Sequence, residues 1–270
     1  SNLAGVKTAS AEPAKEVAEP PKQTARIVPK IIVLDPGHGG TDPGAISRKG
    51  VYEKNIVLLA STEFKRQLEA TGGYKVLLTR SSDKFLSLGQ RIAYGQQINL
   101  LDKSYSKNQH ADVFMSIHAD SLPKNSARRD TTRGLSVYTL SEKATSAEAA
   151  KLAERENAAD FIEVDGFENY TKIERMIFAD LTQSWVKSES ASLANHIVKE
   201  IDGTSGIDLV SKLNSHKSAA FAVLKTNVPA VLVELGYLSN LEEEKLLQQS
   251  WYRAKLASAM VKAVKKYTAA

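Results

Sequence analysis

Three of the chain's short apolar runs end on a polar residue that a hydrophobic core would not choose, and this feature constrains the fold most. Ile31–Leu34 leads into Asp35-Pro36-Gly37-His38-Gly39-Gly40. Val113–Ile117 leads into His118-Ala119-Asp120, and Val231–Val233 into Glu234-Leu235-Gly236. Runs of four or five apolar residues bounded by turn residues read as buried strands. Lys75–Leu78, Leu135–Tyr138 and Phe221–Leu224 read the same way. Helical patterns lie between them. Ile56, Leu59, Ala60 and Phe64 recur at helical spacing, and Gly72-Gly73 stop that helix. Leu193, Ile197 and Ile201 mark a second, and about Trp251–Tyr267 a last one. Strands alternating with helices imply one α/β domain, a mainly parallel twisted sheet with helices on both faces.

In such a sheet the carboxyl ends of the strands form the crevice where ligands bind. Two histidines and a glutamate arriving at that edge make the pattern of a metal site. Glu53 joins them from the predicted start of a helix, although alone it fits an acidic residue favouring the helix dipole. The chain has no cysteine, so zinc here would rest on His and carboxylate ligands.

Residues 1–29, rich in Ala, Pro, Lys and Glu and without an aromatic residue, read as a flexible linker. Residues 30–270 read as the folded domain. No apolar run approaches the roughly 20 residues of a membrane helix. The net charge of +5 suits an anionic polymer, but the basic residues are not interleaved with aromatics, so nucleic acid is excluded as the expected partner. The start at Ser1-Asn2 carries no signal sequence and reads as a trimmed fragment.

The segments Leu34–Gly40 with Asp42, Pro43 and Gly44, then Glu53-Lys54, Thr79-Arg80 with Asp83, Leu88 and Arg91, then Ser116–Asp120, and finally Val233–Asn240 occur in one order. In that order they resemble the zinc-dependent N-acetylmuramoyl-L-alanine amidases. The resemblance covers about residues 30–140 and 188–268. It implies that His38, Glu53 and His118 bind Zn²⁺ and that Glu234 is the catalytic carboxylate. The bond implied is the amide between N-acetylmuramic acid and the L-Ala of the peptidoglycan stem peptide, cut outside the cytoplasm, in the periplasm. Two rival readings are a zinc peptidase and a murein-binding module without activity.

Further residues are candidates with competing readings. Arg80 and Arg91 are candidates for a substrate carboxylate, Arg91 equally for a structural ion pair. His216 is a candidate for the cleft, with a solvent-exposed role as its rival. Asp35 or Asp120 is expected to orient a histidine ligand.

Ser141–Lys187 is long for a loop in a compact domain. Ser146–Ile162 reads as helix, and Phe167–Lys187 as a second. The segment carries a net charge of −4. Ala149, Leu152, Ala153 and Ala159 form a narrow apolar stripe containing Glu156 and bordered by Glu148. A carboxylate on such a stripe needs a partner if buried. The resemblance implies the regulatory insertion of the Gram-negative cell-separation amidases, a helix that blocks the zinc until an activator protein displaces it. Glu156 is the first expected blocking ligand and Glu148 the second.

Overall fold

The computed structural model describes residues 28–158 and 184–269. The expected linker at 1–29 therefore lies outside the described residues except for its last two. The expected second insertion helix lies outside them up to residue 183.

The sheet has six strands in the order β2-β1-β3-β6-β4-β5. They are β1 (Lys30–Pro36), β2 (Tyr74–Leu78), β3 (Val113–Asp120), β4 (Ser136–Leu140), β5 (His216–Ala219) and β6 (Ala230–Tyr237). β2, β1, β3 and β6 are mutually parallel. β4 runs antiparallel to β6 and parallel to β5. Every residue of β3 and β6 is buried, as expected for central strands covered on both faces. The sheet is mixed, and four of its five strand pairings are parallel.

One face is covered by α1 (Glu53–Ala70), α4 (Ser184–Asp202) and α6 (Ser250–Ala269). α1 buries Ile56, Val57, Ala60, Phe64 and Leu68, spaced three or four apart, against Ile32, Met115 and Val233. Burying a side chain such as Phe64 contributes about 1.5–3 kcal/mol. The other face carries α2 (Leu88–Gln96) and α3 (Ala147–Asn157). Phe114, Tyr138, Leu232, Leu152 and Phe221 pack there. α2 begins in a capping box between Ser87 and Gln90, and α3 at Ser146, whose hydroxyl accepts from the Ala149 amide. The short α5 (Leu241–Gln248) is capped by Asn240. No described helix is long and apolar enough to cross a membrane.

Phe221–Leu224 is not a strand. Ala222–Leu224 is a 3₁₀ turn, and β5 is the more polar His216–Ala219 before it. An apolar run reports burial, not period, and Phe221, Val223 and Leu224 are buried as turn residues. The described part of α4 begins at Ser184, inside the stretch read as insertion from sequence.

Candidate metal centre and acid–base site

The site forms at the carboxyl ends of β1, β3 and β6, beneath α3. The chain leaves β1 through Gly37 and turns at His38, whose φ of 58° is the left-handed conformation that few non-glycine residues adopt. The turn passes very close to other groups. A Cβ on Gly37 would lie 2.3 Å from the His118 ring, and one on Gly44 2.5 Å from His38. The packing requires glycine at both positions.

Each imidazole is oriented by its second nitrogen. His38 Nδ1 lies 2.7 Å from Asp42 Oδ2. A carboxylate only accepts, so the proton sits on Nδ1 and leaves Nε2 free as a ligand. The Ser116 hydroxyl donates to Asp35 Oδ2 at 2.8 Å and therefore accepts from His118 Nε2 at 3.2 Å. That leaves His118 Nδ1 as the ligand atom. Asp42 thus takes the orienting role expected of Asp35 or Asp120. Asp35 acts one step removed, through Ser116, and Asp120 instead accepts from Arg155 Nη2 at 2.5 Å.

Glu53 enters from the first residue of α1. Its Oε2 accepts from the Ala45 amide at 2.8 Å and its Oε1 from the Ala119 amide at 2.9 Å. Oε1 also stands 3.2 Å from His38 Nε2 and 3.1 Å from His118 Nδ1. Glu156 of α3 closes the group, with Oε2 3.3 Å from each of the same two nitrogens. The ligand atoms of His38, His118 and Glu156 all lie within 4.8 Å of one another. His38 Nε2 is buried without a hydrogen-bond partner. Four ligands at tetrahedral corners around an ion about 2.0–2.1 Å away would be spaced by roughly 3.3–3.4 Å, close to these separations. The donor set and its spacing fit a zinc ion.

The electrostatics agree with a cation centre. Burial opposes charge on His38, but Glu53, Asp42 and Glu156 outweigh it and raise its pKa well above the ordinary value. Burial likewise works against the Glu53 carboxylate, yet the two histidines hold its pKa well below normal. Glu156 is lowered against the same burial penalty, chiefly by His118 and His38.

Glu234 lies beside this group on β6, paired in register with His118. It is 1% exposed, and neither carboxylate oxygen has a hydrogen-bond partner among the described residues. Burial, then the charges of Asp120, Glu53 and Glu156, push its pKa well above the usual carboxylate range, and Arg155 opposes them. A buried, unpaired carboxyl group with a raised pKa has the character of a proton carrier.

The other candidates sit elsewhere. Arg80 donates to the carbonyls of Pro36, Gly37, Lys54 and Ser82. Arg91 donates to Asp35, to the carbonyls of Pro36 and His38, and to Leu86. Both are buried, and they brace the turn that carries His38. His216 is half-buried on β5 with its nitrogens on Thr139 and Asn195, and it lines the cavity between the sheet and α3, apart from the His38–His118 group. Glu148 is exposed and pairs with Arg128 at 3.1 Å. The sequence reading missed Asp42, Ser116 and Arg155 in these roles. Asp42 and Ser116 stood inside the quoted motifs, whereas only adjacency to Glu156 marked Arg155.

By class, this is an α/β domain that gathers two imidazoles and two carboxylates around one point and keeps a buried, unpartnered carboxyl group beside it. A family model described as N-acetylmuramoyl-L-alanine amidase matches residues 32–266, and the chain belongs to that family. The AmiA amidase of Escherichia coli strain K12 is 38% identical over 242 residues, covering 88% of this chain and 76% of the relative. AmiC of Neisseria meningitidis serogroup B is 38% identical over 244 residues, 88% of this chain, which spans about half (52%) of that relative's length. Among solved structures, AmiC2 of Nostoc punctiforme aligns with a TM-score of 0.60 at 25% identity, over 89% of this chain and 98% of that one.

Proposed function

We propose that this chain is a zinc-dependent N-acetylmuramoyl-L-alanine amidase of the AmiA/AmiC type, held closed by α3. His38, Glu53 and His118 would hold Zn²⁺, with Glu156 filling the position that substrate or water would use. Bound there, Zn²⁺ supplies a Lewis acid that polarises the scissile carbonyl and acidifies water. Glu234 removes a proton from the attacking water and delivers it to the leaving nitrogen of L-Ala. Asp42 and Ser116 keep the two histidines in their ligand tautomers. Arg80 and Arg91 hold the His38 turn rather than a substrate.

The observation that carries this reading is the convergence of Glu53, His38, His118 and Glu156 on one point next to Glu234, whose oxygens are unpartnered. The location of Glu156 supports autoinhibition. It is the one member of the cluster on the inserted segment, and Leu152 and Ala153 of the same stripe are buried under it. Opening requires something that binds the displaced form of 141–187 better than the closed form, and a protein activator in the periplasm fills that role. The resulting amidase separates daughter cells by releasing stem peptides from intact glycan strands.

Digestion of purified peptidoglycan by wild type and by Glu156→Ala, with soluble products identified by mass spectrometry, tests the reading. Free stem peptides from the variant and few from wild type are expected. Equal release by both removes Glu156 from the switch, and cleavage within the stem instead of at its first residue makes the chain a peptidase. No release from either, with zinc bound, points to a binding module.

A further inference from the structure

Next to the metal group, a cavity of about 680 Å³ runs from Asp120 and Tyr237 under α3 to Lys217 of β5. Its floor is the sheet face that carries the chemistry. Glu234 pairs with Ser136, and Tyr138, two residues on, pairs with Lys217, so all four side chains issue from one face. Lys217 lies two strands across and two residues along from Glu234, roughly 12 Å away.

The far end of this cavity is cationic. Lys217 is half-buried and makes no ion pair within 4.0 Å among the described residues, and burial lowers its pKa. Glu148 and Asp120 stand near enough to Lys217 to attract it, and Arg128 near enough to repel it. Glu148 is the Arg128 partner, and it belongs to α3. α3 therefore places two carboxylates at once: Glu156 in the metal group and Glu148 on Arg128, near Lys217. Eight residues of helix separate them by roughly 12 Å. An extended peptide covers that span with about four residues. When α3 leaves, Arg128 loses its ion-pair partner and Lys217 loses one of the two carboxylates that attract it, Asp120 being the other.

We propose that Arg128 and Lys217 form the subsite for a carboxylate of the stem peptide, and that Glu148 occupies it in the closed state. α3 is then shaped like the substrate at two points. The proposal rests on the amidase reading for the identity of the peptide, but its test does not depend on turnover.

The test uses the full chain carrying Glu156→Ala and the peptide L-Ala-γ-D-Glu-diaminopimelate, with its carboxyl groups either free or amidated. Affinity is measured by calorimetry. The free peptide is expected to bind about tenfold more tightly than the amidated one. Lys217→Gln and the exposed-site variant Arg128→Gln should each remove that preference without changing affinity for the amidated peptide, and Lys217→Arg should retain it. Equal binding of the two peptides, no binding of either, or loss of both affinities together in Arg128→Gln overturns the proposal. Release of stem peptides from peptidoglycan is scored separately. Carboxylate-selective binding without release keeps the subsite and rejects the amidase, whereas release without selective binding does the reverse.

Discussion

At the residue scale, the site depends on groups that never touch the reacting atoms. Asp42 fixes which nitrogen of His38 carries the proton. Asp42→Ala is expected to lower zinc affinity by about 10–100-fold, measured by competition with a chelator, while the fold persists. Asp35 is buried completely and receives hydrogen bonds from Thr79, Arg91 and Ser116. Burial works to raise its pKa, yet Arg91 and these donors bring it below the ordinary value. The Arg91–Asp35 pair is 5% and 0% exposed, so removing one member strands the other. Arg91→Met should cost about 3–5 kcal/mol in urea unfolding, far more than loss of a surface pair.

At the scale of elements, the proposed switch rests on how α3 is attached. It is short, it packs on β5 and the 3₁₀ turn, and its N-terminus depends on one hydroxyl. Ser146→Ala removes that cap at a cost of about 1 kcal/mol. If opening involves loss of α3, the open population and basal release of stem peptides should rise by about fivefold. Basal release unchanged by Ser146→Ala would mean that α3 moves away as an intact helix. Arg155 adds a second attachment, through Asp120 and the Ser121 carbonyl.

At the scale of the whole molecule, Glu243 joins the two halves of the site wall. Its oxygens accept from the amides of Gly134, before β4, and Tyr237, at the end of β6. Burial pushes its pKa up to about 7, against the two amides. A carboxyl group whose folded pKa exceeds its unfolded value stabilises the fold below the unfolded pKa and loses that contribution as pH rises through the folded one. The urea midpoint should therefore fall between about pH 4.5 and pH 7 on account of this residue. The slope over that window should flatten in Glu243→Ala, although that variant starts from lower stability.

Much of this protein was legible along the chain. The central strands announce themselves because strands buried on both faces must be continuously apolar, so a histidine or glutamate at the end of such a run stands out. The candidate ligands His38 and His118 and the acid–base candidate Glu234 come from motifs of that kind, whereas Glu53, at a helix start, stood out only through the family resemblance. Glu156 was legible because a carboxylate within an apolar helical stripe is costly without a partner. Position in three dimensions was not legible. Nothing in the sequence says that Phe221–Leu224 turns instead of extending, because burial alone does not set the backbone period. Nor does it separate Arg80 and Arg91 as braces of a turn from arginines facing a cleft, since both uses need the same side chain. The choice of Asp42 over Asp35 and Asp120 was made by a left-handed turn that brings a residue four positions away back onto the imidazole. The stripe ranked Glu156 above Glu148 in sequence, but only the packing of α3 shows that Glu148 turns to Arg128 while Glu156 reaches the histidines. Sequence determines which groups are available and which must be buried. Tertiary structure decides their partners, because hydrogen bonds and ion pairs depend on ångström distances between segments that can lie a hundred residues apart.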